Sequence, residues 1–399
     1  MNKRWKLPVL VLCTASVLSL VGCGSQPYPD NLAYPARTDL IVVKPPEANP
    51  DGPAAAGQLD AFLAQTNGRG GKAYDPAAIS QEKRNQLQAA LQHAFGTPAT
   101  PFVRSDDGDA QWFANHLQLQ PERLAEGSKL YRRHCLQCHG LTGDGRGPTG
   151  LWVYPLPRDY RQGIFKYVSS NGSAARKPAK ADLQRTLLHG IERTSMPKFD
   201  LLADNERNRL IDYVIHLSVR GEVEYRVMRS LLSDTDEPPD DDMKREVASV
   251  MRTALRQWVE ADQDRFAPTT FPTPATADER LTPEYLESVR RGYQLFTQQI
   301  TGCITCHEDY GRQAKYRYDN WGTVVKPLDL IEGAYRGGRT PTDLFYRIRG
   351  GIGPSGMPAA ATLSEQQVWD LVHFVMALPY PKALPPDIRG RVYPSDPGN

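Results

Sequence analysis

Cys135-Leu136-Gln137-Cys138-His139 and Cys303-Ile304-Thr305-Cys306-His307 decide how this chain is read. Each pentapeptide sets two thiols on one helical turn with an imidazole directly behind them, the pattern that attaches c-type haem. The thiols add across the two vinyl groups of the porphyrin, and the histidine becomes the proximal ligand of the iron. A zinc ribbon also uses two Cys-x-x-Cys pairs, but spaced about 15–20 residues apart. Here 165 residues separate Cys138 from Cys303. A dithiol redox pair needs a strand–helix context, whereas the residues before each motif carry helical periodicity. Two covalently bound haem c groups are the expected cofactors, attached through Cys135, Cys138, Cys303 and Cys306.

Outward from the two motifs the chain repeats itself. Asp182-Leu183 is followed by Gly190-Ile191 and Met196-Pro197; Asp343-Leu344 is followed by Gly351-Ile352 and Met357-Pro358. In both copies glycine falls eight and methionine fourteen residues after the aspartate, and the methionines lie 57 and 50 residues past His139 and His307. Leu119-x-Pro121-Glu122 matches Leu281-x-Pro283-Glu284 at a helix start, where proline and an acidic residue suit the first turn. Gly127-x-x-Leu130-Tyr131 matches Gly292-x-x-Leu295-Phe296, and Pro157-x-Asp159 matches Pro327-x-Asp329. Tyr213 and Phe374 each stand seventeen residues past their methionine, inside apolar-periodic segments. An internal repeat of this kind makes each unit one structural copy.

These residues resemble the class I c-type cytochromes, in a tandem dihaem form. The resemblance spans about residues 117–220 and 280–380. It implies small all-α domains in which the first and last helices cross at a glycine and an aromatic residue, here Gly127/Tyr213 and Gly292/Phe374. It also implies histidine/methionine ligation of each iron, by His139 with Met196 and by His307 with Met357. The proximal imidazoles would hydrogen-bond a loop proline, with Pro157 and Pro327 the candidates and Pro148 an alternative in the first copy. His189 and His373 are the competing ligands, and Met228, Met243, Met251 and Met376 read as core. Arg158, Tyr160, Arg161, Lys166, Trp321, Arg336 and Arg339 are candidates to hold the haem propionates. After His139 the first copy reads Gly140 and then Gly143-Asp144-Gly145-Arg146-Gly147-Pro148. The second reads Glu308-Asp309-Tyr310-Gly311, which predicts a differently shaped loop.

The other two of the six cysteines lie at the N-terminus. Lys3, Arg4 and Lys6 precede an apolar run from Leu7 to Val21 that holds Cys13. Fifteen residues rise only ~22 Å, short of a bilayer core, so the run reads as a signal peptide over 1–22. Leu20-Val21-Gly22-Cys23 resembles the lipobox of bacterial lipoproteins, which implies acylation of Cys23 and a lipid anchor on the periplasmic side of the cell envelope. With 48 Lys+Arg against 46 Asp+Glu, the chain lacks the basic excess of a nucleic-acid binder. A mean hydropathy of −0.52 excludes a polytopic membrane protein.

The expected order is a signal peptide (1–22), a Pro/Ala-rich tether with one helix (23–116), a cytochrome c domain (117–220), a helical connector and linker (221–280), a second domain (281–380) and a loose tail (381–399). Seven prolines in 24–57 favour the tether. Apolar residues at 79, 87, 91 and 95 predict its helix. Met243, Val247, Val250, Met251, Ala254, Leu255 and Trp258 make a helical stripe in the connector. The expected function is electron transfer between respiratory components, from a quinol-oxidising complex to a terminal oxidase, with redox proteins as partners and no catalysis by the chain itself. The alternatives are the cytochrome subunit of a periplasmic dehydrogenase and, more weakly, a dihaem peroxidase-like enzyme.

Overall fold

The computed structural model describes residues 31–47, 70–171, 177–233, 242–269, 278–299 and 301–394. The signal segment and Cys23 lie outside them. Among the described residues no helix is long and apolar enough to cross a membrane. The architecture is all-α, with two domains whose buried apolar side chains form two separate cores.

In the first domain, α3 (Pro121–His134) follows α1 (Gln81–Phe95) and α2 (Gly108–His116) of the N-terminal region. Pro121 opens α3, Glu122 sits in its first turn, and Arg132, Arg133 and His134 close it, matching the helix dipole at both ends. The cysteine-bearing turn α4 (Leu136–His139), then α5 (Lys180–His189) and α6 (Asp204–Leu232), complete the unit. α3 crosses α6 at Gly127, where a Cβ would stand 2.2 Å from the Arg209 carbonyl and 2.9 Å from Tyr213 Cβ. After α7 (Met243–Gln263), the second domain repeats the plan with α8 (Pro283–Thr297), α9 (Cys303–Cys306), α10 (Pro341–Gly350) and α11 (Glu365–Ala377). There the crossing is at Gly292, with Asp370 O and Phe374 Cβ at 2.0 and 2.7 Å from a Cβ. Only a residue without a side chain lets each helix pair approach this closely.

The N-terminal region departs from the expected tether. Strands β1 (Ile41–Lys44) and β2 (Lys72–Tyr74) pair antiparallel; Tyr34 and Ile41 are buried in the first core, and Val42 is buried as well. Asp39 bonds Arg161 with both oxygens, at 2.7 and 2.9 Å, pinning this strap to the first domain. The predicted helix is present as α1, with Leu87, Leu91 and Phe95 buried.

The connector also differs. Its first residues, 221–232, continue α6, which runs unbroken to Leu232. α7 does not span between the domains; it packs back on α6, α1 and α2. It buries Met243, Val247, Met251, Leu255 and Trp258. At about 1.5–3 kcal/mol per large apolar side chain, that burial far outweighs leaving the stripe in solvent. The expected loose tail is ordered through residue 394. Helix α12 (Pro386–Val392) sets Ile388 and Val392, with Leu384 before them, into the second core.

Candidate haem centres

Each Cys-x-x-Cys-His turn is built by the end of the helix before it. In the first domain Cys135 N–H bonds Tyr131 O at 2.8 Å, and His139 N–H reaches back to Cys135 O at 2.9 Å. In the second, His307 N–H bonds Cys303 O at 2.9 Å. All four cysteines are free thiols rather than disulfides, as covalent attachment requires.

His139 is buried, with the Tyr160 ring stacked on it at 4.9 Å and 20°. Its Nδ1 lies 3.2 Å from the Arg158 carbonyl. A carbonyl can only accept, so Nδ1 carries the proton and Nε2 keeps its lone pair for a metal. Burial pushes the pKa of this imidazole down to about 4, while the bond to Arg158 opposes the shift. The ring therefore stays neutral near pH 7 and available as a ligand. The His307 pKa is likewise lowered by burial. Its Nδ1 is buried without a well-formed hydrogen bond, with the Leu328 carbonyl as the acceptor facing it.

The carbonyl that accepts from His139 is thus that of Arg158, and the one facing His307 is that of Leu328, each one residue beyond the expected Pro157 and Pro327. The Pro157 carbonyl is turned instead toward Gly145, where an added Cβ would stand 2.5 Å from it.

The methionine loops match closely. Gly190 and Gly351 both have φ +67°, and a Cβ on either would stand 2.7 or 2.6 Å from the carbonyl of Met196 or Met357. Ile191 N–H bonds Met196 O at 3.1 Å, and Ile352 N–H bonds Met357 O at 2.9 Å. Both methionines are half-buried, and Met196 packs on the first core. Of the competing histidines, His189 is exposed at the end of α5. His373 is buried at the α8–α11 crossing, with Nδ1 2.8 Å from Ser288 Oγ. Met228, Met243 and Met251 are buried in the first core, and Met376 packs on the second.

After the motif the two loops diverge. The first domain turns at Gly140, Gly143 and Gly145, all with positive φ. In the second, Asp309 and Tyr310 adopt left-handed conformations before Gly311, and Arg312 holds Asp309 in an ion pair.

Several propionate candidates converge where the domains meet. Arg158 lies 3.7 Å from the centroid of the Trp321 ring, and Lys166 pairs with Asp319 at 3.0 Å. Burial pushes the Lys166 pKa down to about 8 against the pull of Asp319. Arg336 Nε is buried with no hydrogen-bond partner, as are Nε and Nη2 of Arg347. Desolvated cations with unused donors fit carboxylates such as propionates. Arg161 does not join them, since its guanidinium is held by Asp39 and Asp159. Arg339 is exposed. Sequence reasoning missed Asp319, Tyr167 and Arg347 in this seam. Gly163 and Gly333, with φ +68° and +69°, each precede the matched basic residues Lys166 and Arg336 by three positions, a spacing that marks those two cations but not the three missed residues.

Free thiols, neutral imidazoles with buried Nδ1 atoms, glycine-shaped methionine loops and arginines with unused donors together fit covalently attached haem.

A family model of cytochrome c oxidase, cbb3-type, subunit III, matches the chain twice, at residues 122–214 and 287–375. No curated protein matches the chain. A solved structure titled as the Kuenenia stuttgartiensis reducing HAO-like protein complex Kustc0457/Kustc0458 is similar at 22% identity and a TM-score of 0.44. That match covers 63% of this chain and 95% of the other.

Proposed function

We propose that this chain is a haem c-binding, electron-transfer cytochrome with two c-type domains in tandem, a two-haem carrier rather than a catalyst. The observation that carries the reading is the duplicated methionine loop. Gly190 and Gly351, both with positive φ, each shape a loop whose half-buried methionine follows its Cys-x-x-Cys-His motif in sequence, by 57 and 50 residues. Haem supplies one-electron chemistry when bound, and with histidine and methionine ligands no position is left open for substrate. Methionine ligation also raises the reduction potential, which suits the acceptor side of a respiratory chain.

In this reading Cys135, Cys138, Cys303 and Cys306 hold two haems, and His139, Met196, His307 and Met357 ligate them. The protein passes electrons singly from a quinol-oxidising complex to a terminal oxidase, as a subunit or a tethered shuttle. Cys23 carries the lipid that keeps it on the periplasmic face of a membrane. At about 0.8 kcal/mol per buried CH₂, more than one acyl chain makes such an anchor stable.

The test is the ferric near-infrared spectrum of the purified protein. Two methionine–iron charge-transfer bands, with no rapid binding of cyanide or carbon monoxide, are expected. Met196→Ala and Met357→Ala should each remove one band and lower one potential. A high-spin centre in the unaltered protein would overturn the pure carrier role for that haem. Co-purification from mildly solubilised membranes then separates oxidase partners from a dehydrogenase.

A further inference from the structure

One side chain of the second domain grips the peptide that serves the first domain's histidine. Trp321, only 6% exposed, lies in the turn between β3 (Arg317–Tyr318) and β4 (Val324–Val325). Its Nε1–H donates to the Asp159 carbonyl at 3.1 Å. The Arg158 guanidinium lies 3.7 Å from its ring centroid. The carbonyl of that same Arg158 accepts from His139 Nδ1 at 3.2 Å.

Asp319 makes the turn rigid. Its Oδ1 accepts from Trp321 N and Thr323 N at 3.1 and 3.0 Å, while its Oδ2 pairs with Lys166 of the first domain at 3.0 Å. The arrangement is one-sided. In the repeat, Leu328 stands where Arg158 does, and an alkyl side chain offers no cation to an aromatic face. His307 Nδ1 correspondingly lacks a well-formed bond.

We propose that Trp321 is a positioning residue for the first domain's proximal histidine, holding the Arg158–Asp159 peptide so that the carbonyl stays against His139. The inference rests on the haem reading above. A hydrogen bond from Nδ1 raises the basicity of the opposite ring nitrogen, and second-shell bonding of this kind tunes a haem's potential. A more basic ligand favours the ferric state. The first-domain haem is therefore the lower-potential centre, and docking of the domains tunes that centre alone.

The experiment is a spectroscopic redox titration of the full-length, haem-loaded protein. Met196→His and Met357→His, which each shift one step, assign the two steps to their domains. The first-domain step should be the lower. Trp321→Leu should raise it by roughly three- to tenfold in the reduction equilibrium, up to about 59 mV for a one-electron couple, and leave the second step in place. Trp321→Phe keeps the ring face but loses the N–H, and should give a smaller rise in the same step. If Trp321→Leu does not accumulate, the Phe variant alone decides.

An unmoved first-domain step, or equal movement of both steps, overturns the proposal. Faster solvent exchange of the His139 Nδ1 proton in the variants is a second readout, one that a general loss of stability would not confine to one histidine. Absence of the methionine bands in the unaltered protein would instead defeat the carrier reading, and would leave this comparison of potentials valid.

Discussion

Gly127 faces the Arg209 carbonyl across the α3–α6 crossing so closely that a Cβ would stand 2.2 Å from the oxygen. Neither backbone can yield without parting the two helices that close the first core. Gly127→Ala should destabilise the first domain by about 1–3 kcal/mol, the usual cost of overpacking. Gly292→Ala should do the same to the second domain, where the facing carbonyl is that of Asp370. Because the cores are separate, the two effects should add. Denaturant unfolding followed through the absorbance of each haem checks this. Unfolding of both domains by one substitution would show the cores to be coupled.

The methionine loops make a sharper prediction, because geometry and ligation meet in them. Gly190 and Gly351 combine a left-handed φ of +67° with a carbonyl 2.7 or 2.6 Å from any added Cβ. Alanine would incur about 1–3 kcal/mol for the conformation, with ψ of −161° and −177°, before the contact is counted. Gly190→Ala should displace Met196 and abolish the near-infrared band of the first-domain haem alone. Gly351→Ala should remove the other. Retention of both bands in either variant would show that the loop tolerates the side chain without moving its methionine.

The parts of this fold that were legible in sequence are those the repeat states twice. Gly127 with Tyr213, and Gly190 with Met196, recur at fixed spacings as Gly292 with Phe374 and Gly351 with Met357, so each copy corroborates the other. The parts that were not legible depend on partners far away in the chain. Arg37 and Asp39 sit among prolines and read as tether, yet the partner that orders Asp39 is Arg161, 122 residues on. Arg220, Glu222 and Glu224 look like the solvated face of a helix. They are buried in α6, where Lys177 holds Glu222 at 2.7 Å and Arg220 holds Glu224 at 3.2 Å. Charge, which usually marks a surface, here marks contact with a segment that periodicity does not reveal. The acceptor of His139 was misplaced by one residue for a related reason: spacing located the loop, but only the backbone path determines which carbonyl faces the ring.

The strap gives a prediction of its own. Asp39 lies between the buried guanidinium groups of Arg37 and Arg161. These neighbours hold its carboxyl well below the usual range, against the opposing effect of burial. Asp39→Asn would leave two desolvated cations short of a counter-charge, a loss of about 3–5 kcal/mol when one member of a buried pair is removed. The strap should then detach before the domain unfolds. Limited proteolysis should cut within 31–47 in the variant and spare the parent chain. Resistance equal to that of the parent would mean that Tyr34, Ile41 and Val42 hold the strap without the ion pair.

Acid sensitivity follows from a histidine that takes no part in ligation. His216 is fully buried on α6, between the rings of Tyr34, Phe95 and Tyr213, with Nε2 3.4 Å from the Tyr34 hydroxyl. Burial, reinforced by the charge of Arg220, pushes its pKa from 6.5 down to about 3. Unfolded chains take up this proton near pH 6.5, and the folded chain resists it until about 3. Between those values the unfolded state binds more protons, so stability is full above 6.5 and falls as the pH drops, by up to about 1.4 kcal/mol per unit. His373, pushed down to about 4 by burial, adds a similar slope over a narrower window. His216→Gln keeps an acceptor for Tyr34 and removes the titrating group. Denaturant midpoints measured by circular dichroism at pH 7, 6, 5 and 4 should fall less steeply in this variant than in the parent chain. Parallel curves would show that the folded protein accepts the proton at His216 without loss.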